Sequence, residues 1–192
     1  VINTDLLGTI NCLEAARQRG AVMIFLSTSR VYPIETINDL NYTEGPTRFE
    51  LGEQQSVSGV NGRGFTEAFP LEGSRSLYGT TKLCSEFLIQ EYVAMYGLKA
   101  IINRCGVLTG PWQMGKLDQG FIVHWAARHI LGGELAYFGY GGTGKQVRDI
   151  LHIADLYHLL RLQIDRLDQI GDFVFAHTDG KTRRHCCDRL VG

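Results

Sequence analysis

VMIFLSTS, residues 22–29, decides the fold. Residues 22–26 are an unbroken apolar run, the pattern of a strand buried on both faces, and Ser27, Thr28 and Ser29 set hydroxyls at its carboxyl end. On the amino-terminal side, LLGTINCLEAAR (residues 6–17) spaces Leu6, Ile10, Leu13 and Ala16 as on one helix face, and Arg19-Gly20 reads as the stop. On the other side a polar stretch, residues 33–76, leads to a second helical pattern over residues 77–96. Its apolar face is Leu83, Phe87, Leu88, Tyr92 and Met95. Gly97 ends that helix, and KAIIN, residues 99–103, reads as a second buried strand. Helix, strand, helix, strand is the alternation that builds a parallel sheet with helices on both faces, so the expected class is α/β. A connection as long as residues 33–76 is expected to be functional or mobile.

The remaining pattern is mixed. Gly110-Pro111 breaks the chain, residues 121–130 read as a helix stopped by Gly132-Gly133, and residues 135–138 as a short strand. Residues 147–152 look extended, residues 154–167 helical with Leu156, Leu159, Leu160 and Ile164 inward, and residues 172–175 form a last strand. The chain opens without Met inside a helical pattern, and is expected to be part of something longer.

With 192 residues, 44% hydrophobic and 20% charged, the chain has the composition of one domain with a real core. A formal net charge of −1 argues against an electrostatic nucleic-acid binder. No apolar run reaches membrane-span length, and the first residues lack a secretory signal, so no membrane partner is expected. The cysteines, Cys12, Cys84, Cys105, Cys186 and Cys187, are odd in number and form no C-x-x-C, so neither a zinc site nor a disulfide framework is signalled. His124, His129, His152 and His158 have no metal-ligand spacing. A reducing cytoplasm is the expected location.

GYGGTG, residues 139–144, matches the dinucleotide fingerprint G-x-G-x-x-G. That motif works by aiming the amides of a helix N-terminus at a pyrophosphate, and here the following residues alternate like a strand. The same stretch lacks the Ser or Thr a phosphate loop needs after its lysine, having Gln146. Both are read as a glycine-rich turn.

Tyr78-Gly79-Thr80-Thr81-Lys82 sets a phenol and an ammonium one helical turn apart on one face. Alone the pair is a common pattern, and a solvated helix start would explain it. Its place, after a core strand ending in hydroxyls, is where open α/β sheets bind ligands. Tyrosine is a poor base near neutral pH; a fixed cation stabilises its phenolate, and a nearby hydroxyl can orient an alcohol for deprotonation. Removing that proton while the carbon gives up hydride is redox chemistry. No side chain accepts hydride, so a nicotinamide is implied.

LGTINCLEAAR (residues 7–17), FLSTSRVY (residues 25–32) and SLYGTTK (residues 76–82), in that order, resemble the extended short-chain dehydrogenases/reductases, the NAD-dependent epimerase/dehydratase family. Residues 104–120 and 139–156, with the long stretch before Tyr78, are most similar to the branch that epimerises C2 of CDP-paratose. The resemblance covers residues 1–175. It implies a Rossmann-like parallel sheet, truncated at the N-terminus, with part of a small substrate-binding subdomain. Residues 1–112 would carry the catalytic motifs, 113–175 the nucleotide-sugar-binding portion, and 176–192 a divergent tail.

Carried over, Tyr78 is the general base and also contacts the cofactor, and Lys82 is its cationic partner, which also holds the nicotinamide ribose. Thr28 stands for the catalytic Ser/Thr, in contact with substrate, and Ser27 lies on the nicotinamide side. Arg148 matches the arginine gripping the nucleotide diphosphate, a task that suits a guanidinium; a surface ion pair with Asp149 or Asp155 is the alternative. Lys116 and Gln119 are further substrate-side candidates. The implied cofactor is NAD and the implied partner a nucleotide sugar, a CDP-sugar within this branch. A homo-oligomeric parent is compatible with the resemblance.

The sequence also departs from the family. Where its dehydratases carry Asp-Glu after the catalytic Thr, this chain has Ser29-Arg30, which argues against a 4,6-dehydratase. Asp5 stands where the family has Asn, an exchange expected to weaken the network behind the site. Residues 176–192 lack the family pattern and are expected to pack loosely. The amino-terminal βαβ unit with the true fingerprint is not recognised. A 4-epimerase or decarboxylase of the same family is one alternative; a non-catalytic fragment without NAD affinity is another.

Overall fold

The computed structural model describes residues 1–115 and 120–169, together with the backbone of Phe173–His177 and Thr182–Arg183. The chain enters through a π-helical turn, Ile2–Leu7, continuous with α1, Gly8–Arg19. Gly20 ends α1 at φ 62°, donating back to the carbonyls of Ala16 and Arg17. β1, Met23–Thr28, runs into a 3-10 turn, Ser29–Val31. The excursion that follows holds α2 (Ile34–Asn38), the hairpin β2–β3 (Tyr42–Glu44, Phe49–Leu51) and the hairpin β4–β5 (Val60–Asn61, Gly64–Phe65). α3, Leu77–Tyr96, is capped by Ser76, whose hydroxyl accepts from Gly79 N at 3.1 Å, and ends at Gly97. Then come β6 (Ala100–Cys105), β7 (Val107–Thr109), α4 (Phe121–Leu131), β8 (Ile150–His152), α5 (Ile153–Asp165), β9 (Phe173–His177) and β10 (Thr182–Arg183).

The main sheet has the order β1-β6-β9-β10, with the first three strands parallel and β10 antiparallel to β9. Register pairs Met23 with Ala100 and Thr28 with Cys105, so β1 and β6 end together. On one face α1 and α3 bury Leu13, Ala16, Phe25, Ile89, Leu98, Ala100 and Ile102 in one cluster. On the other, Asn103 and Gln163 of α5 exchange two amide hydrogen bonds, at 3.0 and 2.7 Å, with both residues buried. This is the expected α/β Rossmann-like arrangement, a parallel sheet with helices on both faces.

Three local expectations change. β1 is covered on the α1–α3 face, while Leu26 on the other is 37% exposed, because β1 is an edge strand of the described sheet. The first helix is α-helical only from Gly8, the residues before it being wound more widely. Residues 135–138 form no strand: no partner strand among the described residues lies beside them, and Tyr137 packs on Trp125, ring centroids 5.2 Å apart. The excursion of residues 33–76 packs around a core of its own. Val31, Tyr32, Leu40, Phe69 and Leu83 are buried together with Ile37, Leu51, Val57, Val60, Phe65 and Leu71 around them. Leu83 belongs to α3, so the excursion is rooted on the same helix as Tyr78 and Lys82. The proposed tail boundary at residue 176 falls inside β9, and Thr182 and Arg183 pair with Ala176 and Phe175; the rest of the tail lies outside the described residues.

Candidate active site

At the carboxyl end of β1, Thr28 is buried and its Oγ1 accepts from Arg30 N at 3.2 Å, capping the 3-10 turn. The hydroxyl proton is thereby left to donate elsewhere. Tyr78 is the second residue of α3 and 39% exposed, so a molecule in solution can reach its phenol. One turn on, half-buried Lys82 donates from Nζ to the Leu26 carbonyl at 3.0 Å, two residues before Thr28. The same Nζ is 4.7 Å from the Phe25 ring centroid and 6.0 Å from that of Tyr78. The ammonium thus ties the Tyr78 helix to the strand of Thr28.

Gly79 explains how α3 comes so close. A Cβ there would overlap the Arg30 carbonyl oxygen and stand 3.0 Å from its carbon. The first turn of α3 therefore lies directly on the turn that follows Thr28. Behind it, Thr81 Oγ1 donates to the Tyr78 carbonyl at 2.9 Å and approaches Asp5 Oδ2 at 3.3 Å. Thr9 Oγ1 donates to the Asp5 carbonyl at 2.6 Å. Asp5 is thus engaged with α3.

Beneath lies a buried cluster that sequence reading missed. Ser27 Oγ donates to Glu86 Oε1 at 2.5 Å, and Arg104 donates to the same carboxylate from Nη2 at 2.6 Å and from Nε at 3.1 and 3.2 Å. Arg104 Nη1 reaches the Tyr32 hydroxyl at 3.3 Å, and its guanidinium lies 5.3 Å from that ring's centroid. Burial works against the Arg104 charge, but Glu86 outweighs it and holds the guanidinium above its ordinary value. Burial likewise pushes the Tyr32 phenol up, against the pull of Arg104. The available signal was a charge at the end of an apolar strand, Arg104, and a second on the buried face of a helix, Glu86.

Of the remaining candidates, Arg148 is exposed and donates to the Val147 carbonyl and to Gln146 Oε1. Its neighbour Asp149 accepts from Val107 N at 2.7 Å, and β8 pairs with β7, which follows β6 directly. The two-stranded β7–β8 sheet therefore brings Asp149, the neighbour of Arg148, beside the chain that leaves the carboxyl end of β6. A Cβ on Gly106 would come within 2.7 Å of the Asp149 carbonyl oxygen, so a glycine is needed at that crossing. Lys116 and Gln119 lie outside the described residues. The glycine-rich stretch holds a 3-10 turn, Tyr140–Gly142, that opens no helix; the next regular element is β8.

Among the described residues no group of three or more His, Cys, Asp or Glu could hold a metal ion, and no helix is long and apolar enough to cross a membrane. A cavity of about 190 Å³ lined by Arg17, Val22, Tyr96 and Lys99 sits at the amino ends of β1 and β6, the wrong end of a parallel sheet for a ligand site.

Residues 1–174 match the sequence model described as the NAD dependent epimerase/dehydratase family. The chain belongs to this family. It is 30% identical over 172 residues to the CDP-paratose 2-epimerase of Salmonella typhi, spanning 88% of this chain and 48% of that enzyme. It is 28% identical over 180 residues to a dTDP-glucose 4,6-dehydratase of Mycobacterium tuberculosis, spanning 94% and 45%. The chain thus spans about half the length of the curated relatives it matches. The fold is that of the UDP-glucose 4-epimerase of Thermus thermophilus, solved in complex with NAD. The TM-score is 0.63 at 21% identity, covering 95% of this chain and 50% of that one.

NAD is the cofactor of the family, and the residues present suit its nicotinamide end. Lys82, with one donated hydrogen bond among the described residues, keeps two N–H donors for ribose hydroxyls. For the pyrophosphate, the described residues contain no strand, glycine-rich turn and helix in succession.

Proposed function

We propose that this chain carries the catalytic portion of an NAD-dependent nucleotide-sugar epimerase that inverts C2 of CDP-paratose through a transient 2-keto sugar. The observation that carries the reading is the tie between Lys82 and β1: it sets an accessible phenol, a cation and the Thr28 hydroxyl at one sheet edge. Tyr78 removes the proton from the C2 hydroxyl and returns it after the sugar has turned. Lys82 stabilises the phenolate, and Thr28 holds the reacting oxygen in line. NAD, when bound, supplies the reversible hydride acceptor. Arg148 holds the diphosphate, and Ser27 lies beside the nicotinamide.

Dehydration needs an acid and a base beside the catalytic threonine, and Ser29-Arg30 supply neither carboxyl group. The 30% identity to a CDP-paratose 2-epimerase supports the substrate assignment. The test is incubation of the whole protein that carries this chain with NAD and a panel of nucleotide sugars, with products followed by NMR. Inversion at C2 of CDP-paratose is expected, and Tyr78→Phe should lower kcat by about 10²–10⁴ with little change in KM. Inversion at C4 alone would assign a 4-epimerase, and undiminished turnover in Tyr78→Phe would remove Tyr78 as the base. Calorimetry with NAD separates both from a chain that does not bind the cofactor.

A further inference from the structure

The buried cluster under the site has a use that the proposed chemistry leaves unassigned. Glu86 and Arg104 are 0% and 3% exposed. Stability is a poor account of so deep a pair, because desolvating two charges costs about as much as their attraction returns, and apolar replacement of both is often neutral. What the pair fixes is geometry. The Glu86 carboxylate belongs to α3, Arg104 to β6, and Ser27, the third partner, to β1. On α3, Glu86 follows Lys82 by one turn and Tyr78 by two, on the same face.

Consecutive residues at the end of β1 are therefore bound to consecutive turns of α3: the Leu26 carbonyl to Lys82, and the Ser27 hydroxyl to Glu86. At the far end of the following turn, Tyr32 is held by the third nitrogen of the same Arg104. The segment from Ser27 to Tyr32 contains Thr28 and the Arg30 carbonyl against which Gly79 rests. It is pinned at both ends by one ion pair. We infer that Glu86 and Arg104 are positioning residues, which through Ser27 and Tyr32 hold Thr28 and its turn in place against the first turns of α3. The inference rests on the proposed function only for the role of Thr28; the clamp itself is a property of the unliganded chain.

The test is amide hydrogen exchange by mass spectrometry on the unliganded protein, comparing residues 23–32 with α1. The double replacement Glu86→Leu with Arg104→Met removes the clamp and fills its space with apolar side chains. Its Tm is expected to stay within a few degrees of wild type, while residues 23–32 exchange about tenfold faster or more and α1 is unchanged. Ser27→Ala, which removes one hydroxyl and leaves the charges paired, should accelerate the same residues, and Ser27→Thr should restore protection. Unchanged exchange at residues 23–32 in Ser27→Ala overturns the inference, including where the double variant fails to fold. So does acceleration spread evenly over α1 and β1, which would mark a general loss of stability. Local acceleration in a protein that shows no epimerase turnover would uphold the clamp and count against the proposed function alone.

Discussion

Replacing Gly79 by alanine sets helix propensity against packing, and the two predict opposite signs. Within a helix, glycine to alanine is worth about 1 kcal/mol of stability. At this position the added methyl would overlap the Arg30 carbonyl oxygen, stand 3.0 Å from the Arg30 carbonyl carbon, and touch Arg75 Cγ at 3.4 Å. The first two are backbone atoms of the 3-10 turn and cannot rotate aside, so α3 or the turn must move. Overpacking of this kind costs about 1–3 kcal/mol. With rigid backbone on both sides the upper part of that range applies, and subtracting the propensity gain leaves about 1–2 kcal/mol of destabilisation. For a chain of this size that lowers Tm by roughly 2–8 °C. Gly8 is the internal control: it begins α1 with nothing within 4 Å of its Cβ position, so Gly8→Ala should raise Tm slightly. Thermal melts followed by circular dichroism read both. A Gly79→Ala protein that melts at or above wild type would refute the close approach of α3 to the turn, and with it the account of how Tyr78 is placed.

Gly106→Ala should be destabilising for a related reason, since its Cβ would press on both the carbonyl and the carboxylate of Asp149; a melt no lower than wild type would show that β8 yields easily. The Arg17 guanidinium, and after it the Tyr92 hydroxyl at 2.6 Å, hold the Glu14 carboxyl below its ordinary value. A depressed folded value means the contribution is present above the unfolded carboxylate range and lost as pH falls through the folded one. Glu14→Gln should therefore melt below wild type at neutral pH and converge with it in acid; a gap that widened in acid would contradict the ion pair. Burial, and next the charge of Asp149, push the Cys105 thiol up, whereas Cys12 is exposed. Alkylation of the native protein with peptide mapping should thus modify Cys12 about tenfold faster than Cys105 or more, and equal rates would mean that the end of β6 opens readily.

The parts of this fold that were legible in the sequence are those fixed by local chemistry. Gly20 and Gly97 end α1 and α3 in the left-handed conformation at φ 62° and 65°, where a β-carbon would be strained. Ser76 caps α3 because its hydroxyl replaces a missing backbone partner. Residues 33–76 were harder to read, because their apolar side chains follow neither helical nor strand periodicity. Phe65 and Phe69 meet Tyr32 across more than thirty residues of chain, ring centroids 6.3 and 5.6 Å away, and only the folded excursion shows that they share a core. Residues 135–138 show the reverse error: an apolar run has strand propensity but needs an edge to pair with, and no local pattern reports whether one is there.

The site divides along the same line. Tyr78 and Lys82 meet because a helix brings residues four apart together, so their spacing alone placed them on one face. The partners that fix this face in the protein are remote in sequence: Leu26 lies 56 residues from Lys82, Ser27 59 residues from Glu86, and Tyr32 72 residues from Arg104. Spacing carries no information at that range, but the cost of burying charge does. Arg104 is the last residue but one of a strand whose other residues are apolar or amide, and Glu86 lies on a helix face with buried Ser85 and buried Ile89 beside it. An unpaired charge in either place would be too costly to keep, so each position demands an opposite charge from a neighbouring element. In an α/β unit the neighbours of a strand are the helices on its faces. Arg104 on β6 and Glu86 on α3 therefore had to be considered as partners once both elements were read as buried, and that pairing is what holds the turn after Thr28 against the first turns of α3.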